Sequence, residues 1–161
     1  MLRSLFFSIC LIFMIASPLF GQKQEVEWLS FEQLEDSLTV QPKKVLIFFN
    51  ADWCAYCKKM ERAAFKDAKV ISLLRNDYYA VKMDVETADT IVFGGQHFIN
   101  SELGKKRSPI HQIPQLLASR ENAPFSVPAL ILLDTEFKVL DRFFAYLSPK
   151  RMHQFLSQEA E

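Results

Sequence analysis

The apolar residues of the chain fall into short blocks with the spacing of strands. Residues 45–50 begin with Val-Leu-Ile-Phe-Phe, a continuous apolar run typical of a strand that is buried on both faces. Residues 78–85 alternate between apolar and polar, which predicts a second strand. A third strand is expected at 129–133 and a fourth at 137–144, separated by a polar turn, so the last two strands should form an antiparallel hairpin.

Helices are expected around these strands, at about 30–40, 55–66, 67–75 and 148–158. Ser30 and Gln33 resemble a capping box, Asp67 is a good N-cap, and Ser148 precedes a proline suited to the first helical position. Strands that are separated by helices imply right-handed parallel crossovers. The pattern therefore predicts an α/β fold, with a central mixed β-sheet flanked by helices.

A long segment, residues 86–126, separates the second strand from the third. Within it, residues 91–98 are typical of a small hairpin that turns at Gly94-Gly95, and residues 113–120 predict a helix. A structureless loop of this length would be unusual in one domain, so we expect ordered elements. The segment is interpreted either as a lid that faces a substrate or partner, or as a scaffold insertion without a role in binding.

Composition indicates one compact domain and argues against several classes of partner. The chain has 161 residues, half of them apolar, and its 19 basic and 19 acidic side chains balance. This excludes a disordered or highly charged tail protein. A neutral chain offers no electrostatic reason to expect nucleic acid or an acidic membrane surface as partner.

The first 21 residues differ from the rest and resemble a signal peptide. Arg3 precedes an almost wholly apolar stretch, residues 5–20, which is short for a membrane-spanning helix of about 20 residues. Cleavage is expected near Gly21–Gln22, and an uncleaved N-terminal anchor is the alternative. Both hypotheses place the domain at 22–161 outside the cytoplasm, in the periplasm or otherwise exported.

Cys54 and Cys57 are the two cysteines of this domain, since Cys10 lies in the leader. Cysteines at this spacing close a small disulfide ring or bind one metal ion. Cys54 is expected where the buried strand meets a helix, and the free N–H groups at a helix N-terminus stabilise a reactive thiolate. So small a ring adds little loop-entropy stabilisation, which favours a chemical role over a structural one.

Metal binding is disfavoured because zinc would need two further ligands. The available histidines have no paired spacing and lie far from the cysteines: His97, His111 and His153. We therefore predict a redox pair with no metal and no cofactor.

The string Trp53-Cys54-Ala55-Tyr56-Cys57-Lys58, the later Val127-Pro128 and the order of elements together resemble the thioredoxin family. The resemblance covers nearly all of 28–158 apart from the insertion. It is greatest to exported bacterial thioredoxin-like proteins, among them the carboxy-terminal domain of transmembrane disulfide reductases. The insertion is similar to that of thioredoxin-like proteins of Bacteroidetes.

This resemblance implies a role for each matching residue. Cys54 would be the exposed nucleophile that attacks a substrate disulfide, and Cys57 the buried thiol that resolves the mixed disulfide. Pro128 would be a cis-proline packed opposite the pair. The backbone of Val127 would pair with an extended substrate strand, and Trp53 would belong to the hydrophobic rim around the cysteines.

The chain departs from the family at two places. Phe48 stands where many thioredoxins carry a buried aspartate that helps to move a proton from the resolving thiol. Glu61, four residues beyond Cys57 and hence on the same helical face, is the candidate to replace that acid. The alternative is a surface carboxylate paired with a lysine. Ala55-Tyr56 contains neither histidine nor proline, which favours a reducing or intermediate potential.

The sequence thus predicts an exported thiol–disulfide oxidoreductase that reduces disulfide-bonded proteins with electrons from a membrane partner. The alternatives are a disulfide isomerase or oxidase, and a non-catalytic module that binds peptide or metal. No dimerisation segment or heptad pattern is visible, so a monomer is expected.

Overall fold

The computed structural model describes residues 25–158, so the predicted leader lies outside the described residues. The strands are β1 (Trp28–Leu29), β2 (Lys44–Asn50), β3 (Tyr78–Asp84), β4 (Ile91–Phe93), β5 (Gln96–Phe98), β6 (Ala129–Leu133) and β7 (Val139–Phe143). The helices are α1 (Phe31–Val40), α2 (Ala55–Arg62), α3 (Ala68–Asp77), α4 (Gln112–Ala118) and α5 (Pro149–Gln158). A short 3₁₀ turn, Ala64–Lys66, lies between α2 and α3.

Five strands form one mixed sheet in the order β1-β3-β2-β6-β7. β2 is parallel to β3 and antiparallel to β6, and β6 is antiparallel to β7. The predicted parallel crossover and final hairpin are confirmed. β1 was not predicted, because two residues that pair with Ala80 and Val81 are too short to show an alternating pattern.

The two continuous apolar runs occupy the centre of this sheet. Every residue of 45–49 in β2 and of 129–133 in β6 is fully buried. Strands in this position contact other elements on both faces, which is why their sequences do not alternate. The redox motif therefore follows a fully buried strand at the centre of the sheet.

The helix predicted for 55–66 ends earlier than expected. At Ala63 the backbone leaves the helical region (φ −121°, ψ −72°), and the 3₁₀ turn follows. This turn buries Phe65, whose ring lies 4.8 Å from Trp28 and 5.0 Å from Phe48, between ring centroids. The 3₁₀ turn that buries Phe65 thus takes the place of a further turn of α2. Asp67 then caps α3 as predicted.

The insertion is ordered, as predicted. β4 and β5 form a hairpin through Gly94-Gly95, whose positive φ angles of 60° and 71° explain the two glycines. The carboxylate of Glu32 accepts a hydrogen bond from Val92 N–H, and that of Glu35 accepts one from Gly94 N–H. These bonds fix the hairpin to α1 and satisfy N–H groups at its edge.

His111 joins three parts of the insertion. Its side chain is fully buried, and its backbone N–H donates to the Val85 carbonyl oxygen at 2.8 Å, just beyond β3. Nδ1 accepts from Ile113 N–H at 3.2 Å and caps α4, while Nε2 donates to the Phe98 carbonyl oxygen, also at 3.2 Å. The neutral form of His111 thus caps α4 and connects it to β5.

This arrangement predicts that stability depends on pH through His111. Burial lowers the pKa of His111 below its ordinary value of 6.5, against the opposing effect of the Phe98 carbonyl and of Asp89. The unfolded chain takes up the proton at the ordinary pKa and the folded chain only at lower pH. Stability therefore falls as pH drops below about 6.5, with a slope of at most about 1.4 kcal/mol per pH unit for one proton.

Urea unfolding measured at several pH values between about 5 and 8 checks this prediction. We expect His111→Gln to flatten the pH dependence, whereas His153→Gln, on the half-buried side of α5, should retain it. Equal slopes for the wild type and His111→Gln would contradict the assignment.

Candidate active site

The cysteine pair lies where β2 ends and α2 begins. Cys54 N–H donates to the Ala51 carbonyl oxygen at 3.0 Å, which closes the turn after the strand. Cys54 is the N-cap of α2, and its Sγ accepts a hydrogen bond from Cys57 N–H at 3.1 Å. The predicted junction is confirmed, and the sulfur occupies the position where N–H groups and the helix dipole stabilise a thiolate.

The two cysteines form a disulfide, with an S–S distance of 2.07 Å and a Cα–Cα distance of 5.2 Å. Cys54 is 4% exposed and Cys57 is 1% exposed. The expectation of an exposed Cys54 is therefore wrong for this closed form, although Cys54 is the more accessible of the two. The physical reason is that its Sγ is turned towards α2, bonded to Cys57 and held by the Cys57 N–H.

Exposed aromatic side chains flank the disulfide. Trp53 and Tyr56 are each 61% exposed, and the Trp53 indole N–H donates to a Glu86 carboxylate oxygen at 2.9 Å. The Tyr56 ring packs against Tyr146, with centroids 6.0 Å apart, and the Lys59 ammonium lies over Tyr146. Solvent-exposed Trp and Tyr are the residues that most often dominate protein interfaces.

The peptide bond between Val127 and Pro128 is cis, in agreement with the role that the family resemblance gave to Pro128. It immediately precedes β6, whose Ala129 lies opposite Phe49 near the end of β2. The loop before β6 therefore lies at the end of the sheet where β2 finishes, which is also the end that carries the cysteine pair. Within residues 25–158, the main chain of Val127 takes part in no hydrogen bond, so its N–H and carbonyl oxygen are available to a ligand.

Arg120 supports this loop and was missed by the sequence analysis. Its guanidinium donates to the Pro124 carbonyl oxygen at 2.9 Å and to Ser126 Oγ at 2.8 Å. The same group lies 4.3 Å from the ring centroid of Phe144. The two hydrogen bonds are local and the Phe144 contact is distant in sequence, and a lone arginine after a short helix gives no signal of either.

Glu61 pairs with a lysine on the neighbouring strand. Its carboxylate lies 3.2 Å from Lys82 Nζ, and the Glu61 side chain is about one-third exposed. Lys82 is the register partner of Phe48, so both side chains project from the same face of the sheet. The ion pair therefore holds the Glu61 carboxylate on the face of the sheet from which Phe48 projects.

The histidines considered as metal ligands lie in separate elements: His97 in β5, His111 before α4 and His153 in α5. Among residues 25–158 no group of three or more His, Cys, Asp or Glu side chains is placed to hold a metal ion. The same part of the chain contains no helix that is long and apolar enough to cross a membrane.

Comparison with known proteins agrees with this geometry. Residues 31–160 match the model of the thioredoxin-like domain family. A thiol:disulfide interchange protein, DsbD, of Campylobacter jejuni is 32% identical over 90 residues, which are 50% of this chain but only 16% of that relative. The chain thus matches only a small part of the length of this curated relative.

Solved structures show the same fold at low sequence identity. A DsbH oxidoreductase is 17% identical with a TM-score of 0.54, covering 89% of this chain and 88% of the other. A thioredoxin of Thermus thermophilus is 18% identical with a TM-score of 0.56, covering 83% and 86%. The chain belongs to the thioredoxin-like domain family, and its Cys54–Cys57 pair is present as a disulfide.

Proposed function

We propose that this protein is a thiol–disulfide oxidoreductase that reduces disulfides of proteins outside the cytoplasm and is itself reduced by a membrane-bound donor. The observation that carries the proposal is the Cys54–Cys57 disulfide at the N-terminus of α2, beside an exposed Trp53 and an unpaired Val127 main chain. The signal-like residues 1–21 support export. The matched relative is named as an interchange protein, which supports exchange with protein partners.

The proposed reaction is two successive thiol–disulfide exchanges. In the reduced protein, the Cys54 thiolate attacks one sulfur of the substrate disulfide and displaces the other as a thiolate, which takes up a proton. The Cys57 thiol then loses its proton and attacks Cys54 Sγ, which releases the second substrate thiol. Two electrons pass to the substrate, and the protein is left with the disulfide seen in the structure.

Measurement of the redox potential tests the proposed direction. The domain is equilibrated with glutathione buffers, and the fraction of free Cys54 and Cys57 is determined by alkylation. A potential near or below about −230 mV, towards that of thioredoxin, would support a reductase with a dedicated donor. A potential between about −120 and −180 mV would instead assign the protein to oxidation or isomerisation. If no disulfide forms, the binding-module alternative is correct.

Glu61 is proposed to accept the proton of Cys57 in the resolving step. We expect Glu61→Gln to slow the decay of the mixed disulfide by about a hundredfold, the lower end of the range for general base catalysis. The rate should then rise more steeply with pH, because hydroxide or buffer must replace the carboxylate.

Lys82→Met is the matched control for Glu61→Gln. It breaks the same ion pair but leaves the carboxylate in place. Stopped-flow measurement of mixed-disulfide decay in both variants separates the two roles. If both variants decay at the same rate, the pair has a structural role and Glu61 is no base.

A further inference from the structure

Asn50 is the last residue of β2, where the strand leads into the redox turn. Its main chain is paired, because its carbonyl oxygen accepts a hydrogen bond from Val85 N–H at 2.9 Å. Its side chain is not: Oδ1 is buried, and within residues 25–158 it is the one buried side-chain oxygen or nitrogen atom without a hydrogen-bond partner. A buried amide oxygen without a donor costs free energy, so its presence beside the redox pair requires a reason.

The redox helix α2 covers the face of the sheet from which the Asn50 side chain projects. Side chains alternate along a strand, so Asn50 shares a face with Phe48. Glu61 of α2 reaches this face, because it pairs with Lys82, the register partner of Phe48. Glu61 therefore marks the part of α2 that lies beside Phe48.

Cys57 lies over Asn50 by the same geometry. Cys57 precedes Glu61 by four residues, which places it on the same helical face and about 6 Å nearer the N-terminus of α2. Asn50 follows Phe48 by two residues, a displacement of about 6.6 Å along β2. Both displacements run towards the end of the sheet where β2 finishes and α2 begins. The buried oxygen of Asn50 thus faces Cys57, which is 1% exposed.

The partner of this oxygen depends on the redox state of the pair. In the disulfide, the Cys57 sulfur is bonded to Cys54 and carries no hydrogen, so it cannot donate. Reduction supplies two electrons, the S–S bond breaks, and Cys57 takes up a proton as a thiol. The thiol S–H is a hydrogen-bond donor, although a weak one. Asn50 Oδ1 therefore gains a donor in the dithiol form that it lacks in the disulfide form.

We infer that Asn50 is a positioning residue of the redox pair, whose Oδ1 accepts the hydrogen bond of the reduced Cys57 thiol and so stabilises the dithiol relative to the disulfide. The reduction potential is then higher than it would be with an apolar residue at position 50. The inference rests on one part of the proposed function, the cycling of Cys54 and Cys57 between dithiol and disulfide. It holds for either direction of electron transfer.

The reduction potential of Asn50→Leu tests this assignment, because leucine has a similar size and no acceptor. The full chain with Cys10→Ser is equilibrated with glutathione: two glutathione thiols become glutathione disulfide, and the Cys54–Cys57 disulfide becomes a dithiol. Alkylation measures the dithiol fraction. We expect the equilibrium constant for reduction to fall about tenfold, which lowers the potential by about 30 mV. Asn50→Asp keeps an acceptor oxygen and should not lower the potential. Asn76→Leu, at an exposed position of α3, is the matched control and should leave it unchanged.

The S–H stretching band of Cys57 reports the hydrogen bond directly. With Cys10→Ser and Cys54→Ala, Cys57 is the only thiol of the chain, and infrared absorption of this variant gives its band. A hydrogen-bonded S–H group absorbs at lower frequency than a free one. Addition of Asn50→Leu should therefore move the band to higher frequency, whereas addition of Asn76→Leu should leave it in place. A purely structural role of Asn50 would change the free energy of unfolding but would not move this band.

The outcomes separate the role of Asn50 from the proposed function. A lower potential and a moved band in Asn50→Leu, with the control unchanged, would support the inference. An unchanged potential, an unmoved band, or an equal fall in Asn50→Asp would overturn it and leave the reductase proposal intact. If Asn50→Leu does not fold, Asn50→Ala removes the same oxygen and has the same expected sign. If the wild type forms no Cys54–Cys57 disulfide, both proposals fail together.

Discussion

Cys54→Ser is expected to remove substrate reduction, and Cys57→Ser is expected to stop the same reaction halfway. The closed disulfide shows that each sulfur lies within bonding distance of the other, and the Cys54 sulfur accepts the Cys57 N–H at the helix N-terminus. Cys54 therefore has the more stabilised thiolate and should attack first. Without it, the rate should fall by about three orders of magnitude or more, as for other lost nucleophiles.

The Cys57→Ser variant distinguishes the two roles, because its nucleophile is intact and its resolving thiol is gone. We mix it with disulfide-bonded insulin and expect the Cys54 thiolate to displace one insulin sulfur as a thiol. The mixed disulfide between Cys54 and the other insulin sulfur should accumulate, visible as the summed mass by mass spectrometry under non-reducing conditions. The double variant with both serines is the control and should trap nothing. Mixed disulfides that accumulate on Cys57 in the Cys54→Ser variant would reverse the assignment of roles.

Closure of the disulfide also bears on where a partner can make contact. In this closed form Cys54 and Cys57 are almost fully buried, whereas the neighbouring Trp53 and Tyr56 side chains are largely exposed. Because exposed Trp and Tyr side chains often dominate protein interfaces, we expect these two to lie at the centre of an interface with a redox partner.

The sheet and the redox pair could be predicted because their signals are local. The continuous apolar runs of β2 and β6 identify the two central strands, and the Trp53–Lys58 string identifies the junction where the chemistry takes place. By contrast, β1 has only two residues, too few to show an alternating pattern, so it could not be predicted. The early end of α2 depends on where Phe65 finds space between Trp28 and Phe48, which is a property of the assembled core.

The surroundings of the site could not be predicted, because they depend on contacts between distant segments. Tyr146 packs on Tyr56 and Arg120 stacks on Phe144, although nothing in the sequence near these residues suggests either pairing. The insertion was expected to contain ordered elements, but its position beside the redox pair, where Ser119 and Phe125 share a groove with Trp53, has no signal in the sequence. How these loops pack depends on contacts across the whole fold, and their sequences show no periodic pattern from which it could be predicted.

Phe48→Ala should destabilise the protein by about 3–5 kcal/mol, the range for removing a buried aromatic side chain. Phe48 is fully buried in the central strand, and its ring lies 6.0 Å from Trp28 and 5.0 Å from Phe65 between centroids. These two rings also contact each other, so the substitution leaves a cavity among aromatic groups that are fixed by β1 and the 3₁₀ turn. The free energy of unfolding in urea, with the disulfide intact, measures this loss.

Leu140→Ala is the matched control, because Leu140 is 39% exposed on β7 and its loss should cost about 0.5 kcal/mol or less. A loss below about 1 kcal/mol for Phe48→Ala would contradict its place in the core. The side chain of Phe48 cannot accept or donate a proton. A proton acceptor for Cys57 must therefore be another group, for which Glu61, held by Lys82 on the same face of the sheet, is the candidate.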